Sequence, residues 1–216
     1  MRTRRRPSAL PARSRLIRLL LVCTVALALS WAGVSITVAG DGATTQAGEP
    51  TAAPYDRAAF GPAWKDVDRN GCDTRNDILR RDLAEVRAKG GTAGCLVLTG
   101  VLRDPYTGER IVFERGPGTS DRVQIDHIVP LSYAWRHGAD AWSDERRQEF
   151  ANDPANLLAV AGRANSAKSD SGPSEWMPRA EYACEYTERF ELVLQRYGLE
   201  AAEADLAALD NLACAT

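Results

Sequence analysis

The 216-residue sequence predicts an α+β domain, and three observations carry that reading. Short aliphatic and β-branched runs bounded by Gly, Pro and Asp recur at residues 95–102, 110–114, 122–126 and 157–160. Longer stretches at 76–89, 180–197 and 201–212 instead repeat their apolar residues at helical spacing. No internal repeat interrupts this mixture, and a composition of 44% apolar and 26% charged residues is that of a globular chain. The length suits one sizeable domain plus a tail.

Each element has its own signal. Ile78, Leu79, Leu83 and Val86 fall on one stripe, so residues 76–89 are expected as a helix stopped by Gly90-Gly91. Residues 95–102 and 110–114 flank the turn residues Asp104-Pro105-Tyr106-Thr107-Gly108 and are expected to pair as a hairpin. Another extended piece, 122–126, follows Gly116-Pro117-Gly118. Residues 130–151 are expected as two helical pieces broken at Gly138. A short strand at 157–160 then runs into a short helix at 162–168.

The formal net charge of −2 conceals an asymmetry. Residues 1–40 contain seven arginines (Arg2, Arg4, Arg5, Arg6, Arg13, Arg15 and Arg18) and no acid. Setting those seven aside from the 27 basic residues leaves 20 against 29 acidic ones, a net of −9. An acidic body excludes polyanion binding by bulk positive charge, so a nucleic-acid partner has to be met locally.

The arginines precede an uncharged run over residues 19–40 that ends in small residues. That pattern is a secretory signal peptide, with an uncleaved N-terminal membrane anchor as the alternative, because about 20 apolar residues can span a bilayer. Residues 41–54 are small and polar, a flexible leader. Both readings of the first segment put the body outside the membrane, either secreted or anchored at its outer face. Beyond Cys23, four cysteines remain in what is then an oxidising context: Cys72, Cys95, Cys184 and Cys214. Three pairings exist. Local closure, Cys72–Cys95 and Cys184–Cys214, is the simplest, and no Cys-x-x-Cys or His spacing supports a zinc site instead.

The chain has only two histidines, His127 and His137. His127 follows Asp126 at the end of an expected strand. Asn156 opens the next strand, Asn165 comes nine residues later on an expected helix, and Lys168 three beyond that. A carboxylate and an amide oxygen are hard ligands for one divalent cation, and a neutral imidazole beside them can take a proton from water.

At these residues the sequence resembles the HNH endonucleases of the ββα-metal (His-Me finger) superfamily. Over a longer stretch it resembles the secreted actinobacterial HNH endonuclease-family proteins, which are related to the C-terminal nuclease domain of GmrSD-type restriction enzymes. The stretches that carry the likeness include residues 70–76, 104–108, 126–135, 150–160 and 176–178. The resemblance implies a ββα-metal core with flanking helices and a β-hairpin over residues 55–216. It implies a monomeric, metal-dependent endonuclease acting on DNA, with RNA as a further substrate. It makes His127 the general base and Asp126 and Asn165 the ligands of a single Mg²⁺ or Mn²⁺. Asn156 braces the loop and orients the imidazole, and Lys168 meets phosphate or offsets developing charge. Asn165 stands where many relatives have His, which favours a hard ion. The 30-residue gap from Asp126 to Asn156 is long, and residues 131–150 are expected as a helical excursion.

Competing readings accompany these. A non-catalytic nucleic-acid-binding or surface-interaction module with a vestigial site is the main alternative. Nucleophile-elbow esterases lack support, because the chain has no Gly-x-Ser-x-Gly. His137 reads as a structural helix-end residue. Trp135, Trp142 and Trp176 read as core rather than as base-stacking platforms. Arg75, Arg163 and Arg179 are weaker phosphate candidates. Asp66-Val67-Asp68-Arg69-Asn70-Gly71 matches the first half of a calcium loop, with Asp77 at its twelfth position, but reads as a structural turn.

Overall fold

Asp56 accepts a hydrogen bond from the Ala58 amide (2.8 Å), which caps a 3₁₀ turn over Arg57–Phe60. The computed structural model describes residues 54–212 and 214; the expected signal or anchor segment, and all of the leader but Pro54, lie outside them. The 3₁₀ turn anchors through Phe60, which is buried against Trp135 and Phe150 (centroids 6.1 and 6.2 Å).

The Asp66–Gly71 loop that follows uses its acids on its own backbone. Asp66 accepts from the amides of Asn70 and Gly71 (3.1 and 2.9 Å), and the Asn70 side chain bridges Asp68 and Asp77. The loop is a turn closed by side-chain to main-chain bonds. Asp73 then caps helix α1 (Thr74–Asp82) by accepting from the Asn76 amide at 2.8 Å.

The expected helix over 76–89 stops half-way. The chain leaves α1 at Asp82 and continues as strand β1 (Ala84–Ala88), antiparallel to β2 (Val97–Arg103). Tertiary contacts override the helical stripe here. The Asp82 carboxylate accepts from the Ala159 amide (2.8 Å), fixing the helix end. Leu83 turns onto Gly100, where a Cβ would stand 2.9 Å from its Cδ1, so only glycine admits it. Strand β3 (Arg110–Glu114) pairs back on β2 with Thr99 opposite Glu114 and Arg103 opposite Arg110, completing a three-stranded sheet ordered β1-β2-β3.

The second sheet has two strands, β4 (Val123–His127) and β5 (Leu157–Ala161), antiparallel with Asp126 opposite Leu158 and His127 opposite Leu157. Between them run α2 (Leu131–Arg136), a 3₁₀ turn and α3 (Asp144–Asn152), the helical excursion broken at Gly138. Helix α4 (Gly162–Lys168) leaves β5 directly. At that junction a Cβ on residue 162 would lie 2.0 Å from the Asp121 carbonyl oxygen, so Gly162 is what lets the helix start so close to the preceding loop. The buried Asp104 ties the β2–β3 turn to the same place by accepting from Thr107 and from the Ala161 amide (2.9 Å).

Helix α5 (Ala180–Tyr197) buries Tyr182, Tyr186, Phe190, Val193, Leu194 and Tyr197 along one face, and α6 (Glu203–Asp210) closes the described chain. Two disulfides clamp the periphery: Cys72–Cys95 (Cα–Cα 5.0 Å) and Cys184–Cys214 (5.6 Å). The tryptophans pack as core. Trp142 meets Phe150 edge-on, Trp176 meets Tyr106 edge-on at 4.8 Å, and Trp135 lies beneath the Arg147 guanidinium. Among the described residues no helix is long and apolar enough to cross a membrane.

Candidate active site

The β4–β5–α4 unit gathers the polar residues of the motif because each element contributes at a fixed point. His127 is the last residue of β4 and Asn156 immediately precedes β5. Fully buried, the Asn156 side chain clamps the chain just beyond His127. Its Oδ1 accepts from the Val129 amide (2.8 Å), its Nδ2 donates to the Val129 carbonyl (3.2 Å), and its main-chain carbonyl accepts from Ile128 (2.8 Å).

The imidazole itself is held elsewhere. Nε2 of His127 lies 2.8 Å from the carbonyl oxygen of Ala151, near the end of α3. A carbonyl only accepts, so Nε2 carries the proton of the neutral ring and Nδ1 carries the lone pair. The expectation that Asn156 orients the ring is therefore corrected: Asn156 fixes the backbone, and Ala151 fixes the tautomer. Burial lowers the His127 pKa from its ordinary 6.5 to about 4, with Arg57 and Lys168 adding to the shift and the Ala151 bond opposing it. The ring is a neutral base at physiological pH.

Asp126 is almost fully buried. It accepts from the Tyr106 hydroxyl at 2.6 Å and from Lys168 Nζ at 3.1 Å, and the same ammonium donates to the His127 carbonyl at 2.8 Å. Burial pushes the Asp126 carboxyl up, and Lys168 and Tyr106 pull it back. Lys168 has no exposed surface. The expected phosphate contact from Lys168 is therefore replaced by a buried ion pair, in which the long side chain of α4 reaches under the strand and neutralises Asp126.

Asn165 sits one turn before Lys168 on α4. Its Nδ2 donates to Gln124 (2.8 Å), which leaves the amide oxygen without a protein donor among the described residues. Asp126, His127 and Asn165 line one cavity of about 320 Å³, together with Arg57, Trp64 and Asp170. Asn156 and Lys168 lie behind its wall. A smaller cavity of about 40 Å³ reaches the other side of the imidazole, between Trp64, Phe60 and Ala151.

The other expected phosphate contacts are elsewhere. Arg75 donates to the Val123 carbonyl (3.2 Å), Arg163 pairs with Glu109, and Arg179 stands 3.9 Å from Glu181; none lines either cavity. His137 stacks on Tyr133 (4.2 Å) at the end of α2, also outside both cavities. Three contributors were not legible as site residues in the sequence, although Tyr106 lies in the 104–108 stretch that carries the likeness. Ala151 acts through its backbone, Tyr106 reaches Asp126 across 20 residues, and Trp64 lies nearly parallel to His127 (12°, centroids 6.3 Å).

Among the described residues no three His, Cys, Asp or Glu side chains converge as a ready-made metal cluster. The cavity instead offers one carboxylate edge and one amide oxygen. Both are hard donors, and a dication that keeps most of its water fits that pair.

An α+β domain with an imidazole, a carboxylate and an amide gathered on one ββα unit is an HNH-like nuclease domain in fold. The chain belongs to the family described as GmrSD restriction endonucleases, C-terminal domain, whose family model matches residues 73–211. It is also 38% identical over 161 residues to a protein of Arthroderma benhamiae described as an uncharacterized secreted protein, an alignment covering 73% of this chain and 74% of that one.

Proposed function

We propose that this chain is an exported, divalent-metal-dependent endonuclease that hydrolyses phosphodiester bonds in DNA, with RNA as a further substrate. One observation carries the reading. The neutral imidazole of His127 has its Nε2–H tied to Ala151 and its Nδ1 lone pair unassigned, on the cavity that also holds Asp126 and Asn165. In this reading Nδ1 takes the proton of a water that attacks phosphorus opposite the leaving 3′-oxygen. Asp126 and Asn165 would hold one Mg²⁺ or Mn²⁺, which when bound neutralises charge on the phosphate. Lys168 and Tyr106 oppose the effect of burial on the Asp126 carboxyl and aim it, and Asn156 keeps the His127 backbone in register. Family membership supports the reaction class. Two disulfides and a relative described as secreted support export.

The test is nicking of supercoiled plasmid by the purified protein with Mg²⁺, Mn²⁺ or EDTA, beside linear RNA. His127→Ala should remain folded and cut at least ~100-fold more slowly, because a general base contributes roughly 10²–10⁴-fold. His137→Ala should cut at nearly the parental rate. Parental cutting by His127→Ala, or full activity in EDTA, would overturn the reading.

A further inference from the structure

The cavity around His127 is completed by a segment that precedes the family match. Residues 55–66 form a strap seated on helices α2 and α3 beside the ββα unit, and the match begins only at residue 73. The strap is firmly seated. Phe60 is buried, the Ala59 carbonyl accepts from Arg147 Nε (3.1 Å), and Lys65 bonds to Gln148. From this seat it presents Trp64 against the imidazole and Arg57 toward both cavities.

Charge accounting singles out Arg57. Each carboxylate on the larger cavity already faces its own cation: Asp126 pairs with Lys168, and Asp170 pairs with Arg136 at 2.8 Å. Arg57 is exposed and makes no hydrogen bond or ion pair among the described residues, in a body with nine more acids than bases. It is also the first-ranked charge acting on the His127 ring. An unpaired guanidinium held beside a general base, where no neighbouring carboxylate claims it, is suited to a phosphate oxygen that it can bind with two parallel N–H groups.

We infer that Arg57 is the substrate-phosphate contact of this site, supplied by the strap rather than by the ββα unit. This inference rests on the nuclease reading and adds to it the group that meets the polyanion. It also answers how an acidic protein binds a nucleic acid: one local cation at the reacting phosphate, and little elsewhere.

The experiment measures binding rather than turnover. A labelled duplex is titrated by fluorescence anisotropy with His127→Ala protein in Mg²⁺ over a range of salt. The same series is repeated after adding Arg57→Ala, Arg57→Lys or Arg163→Ala. Losing one phosphate contact should lower the slope of log K against log salt by about 0.9 and weaken binding equally across sequences. Arg57→Lys keeps a charge and should keep the slope. Arg163→Ala, which removes another exposed arginine, paired with Glu109 and away from the cavity, should keep it too. An unchanged slope in Arg57→Ala, or an equal drop in Arg163→Ala, overturns the assignment of Arg57 while leaving the nuclease reading intact. Absence of any duplex binding by His127→Ala overturns both. An unchanged melting temperature of Arg57→Ala is expected, since the side chain has no partner among the described residues to lose.

Discussion

The ββα unit and the strap beside it meet at one histidine, yet they are built on opposite plans. In the β4–β5–α4 unit the polar side chains are tied down by hydrogen bonds or ion pairs, to backbone or to one another. Asn156 is bonded at both ends of its amide, Lys168 is matched to Asp126, and Asn165 is turned by Gln124. The strap is held by Phe60, the Arg147–Ala59 bond and the Lys65–Gln148 bond, and Arg57, its cation at the cavity, has no partner among the described residues. A network like that of the ββα unit fixes geometry and leaves only chosen atoms, the Asn165 amide oxygen and the His127 Nδ1, for a ligand. A seated segment with a spare cation offers a whole charged group instead. A site that must both aim a base and meet a substrate needs each kind.

The largest effect should come from breaking the networked side. Lys168→Met leaves Asp126 buried without its cation and should cost about 3–5 kcal/mol, read by urea denaturation. The double variant Asp126→Asn/Lys168→Met removes both charges and should recover much of that loss. If Lys168→Met alone is as stable as the parent, the pair is not what organises this core.

Removing the fastening of the strap comes next. Cys72–Cys95 closes 23 residues and ties the chain that follows the strap to the start of β2. Cys72→Ser/Cys95→Ser should lose ~3 kcal/mol by the loop-entropy relation. Peptide mass mapping of the non-reduced protein should recover Cys72 with Cys95 and Cys184 with Cys214.

Asn156→Ala should cost about 1–3 kcal/mol, because it strands the buried Val129 amide and carbonyl. It should also slow cutting while leaving the pH at which His127 titrates in place, since the ring is bonded to Ala151 and not to Asn156. A shifted His127 titration in this variant, followed by NMR, would return the orienting role to Asn156.

These contrasts also explain what the sequence made legible. Periodicity exposed 110–114 and 180–197, because each buries one face against the core at its own period, while 157–160 read as a strand from a short continuous apolar run buried on both faces. Residues 84–88 did not read as a strand. Leu83 and Val86 continue the stripe of α1, and only the glycine at position 100 and the Asp82–Ala159 bond, both distant in sequence, turn the chain out of the helix. The site divides in the same way. Asp126, His127, Asn156, Asn165 and Lys168 stand at fixed spacing on consecutive elements, so their side-chain types advertise them. The Ala151 carbonyl has no side-chain signature, and a single Arg57 on a four-residue 3₁₀ turn is indistinguishable from the 23 other arginines until the fold brings it to the cavity.

The smallest predicted effect probes the strap at its most unusual point. Trp64 has φ of +60°, a left-handed conformation that costs a residue with a Cβ about 1–2 kcal/mol. Half-buried beside His127, it returns part of that through contact with the imidazole. Trp64→Ala loses the contact and keeps the strain, whereas Trp64→Gly loses the contact and releases the strain. Ala is ordinarily the more stable of the two in an ordered segment. Here the order should invert, with Trp64→Gly more stable than Trp64→Ala by about 1 kcal/mol in denaturant titrations. If Ala proves the better replacement, the left-handed backbone at position 64 is not maintained in solution, and the wall that Trp64 makes for the imidazole goes with it.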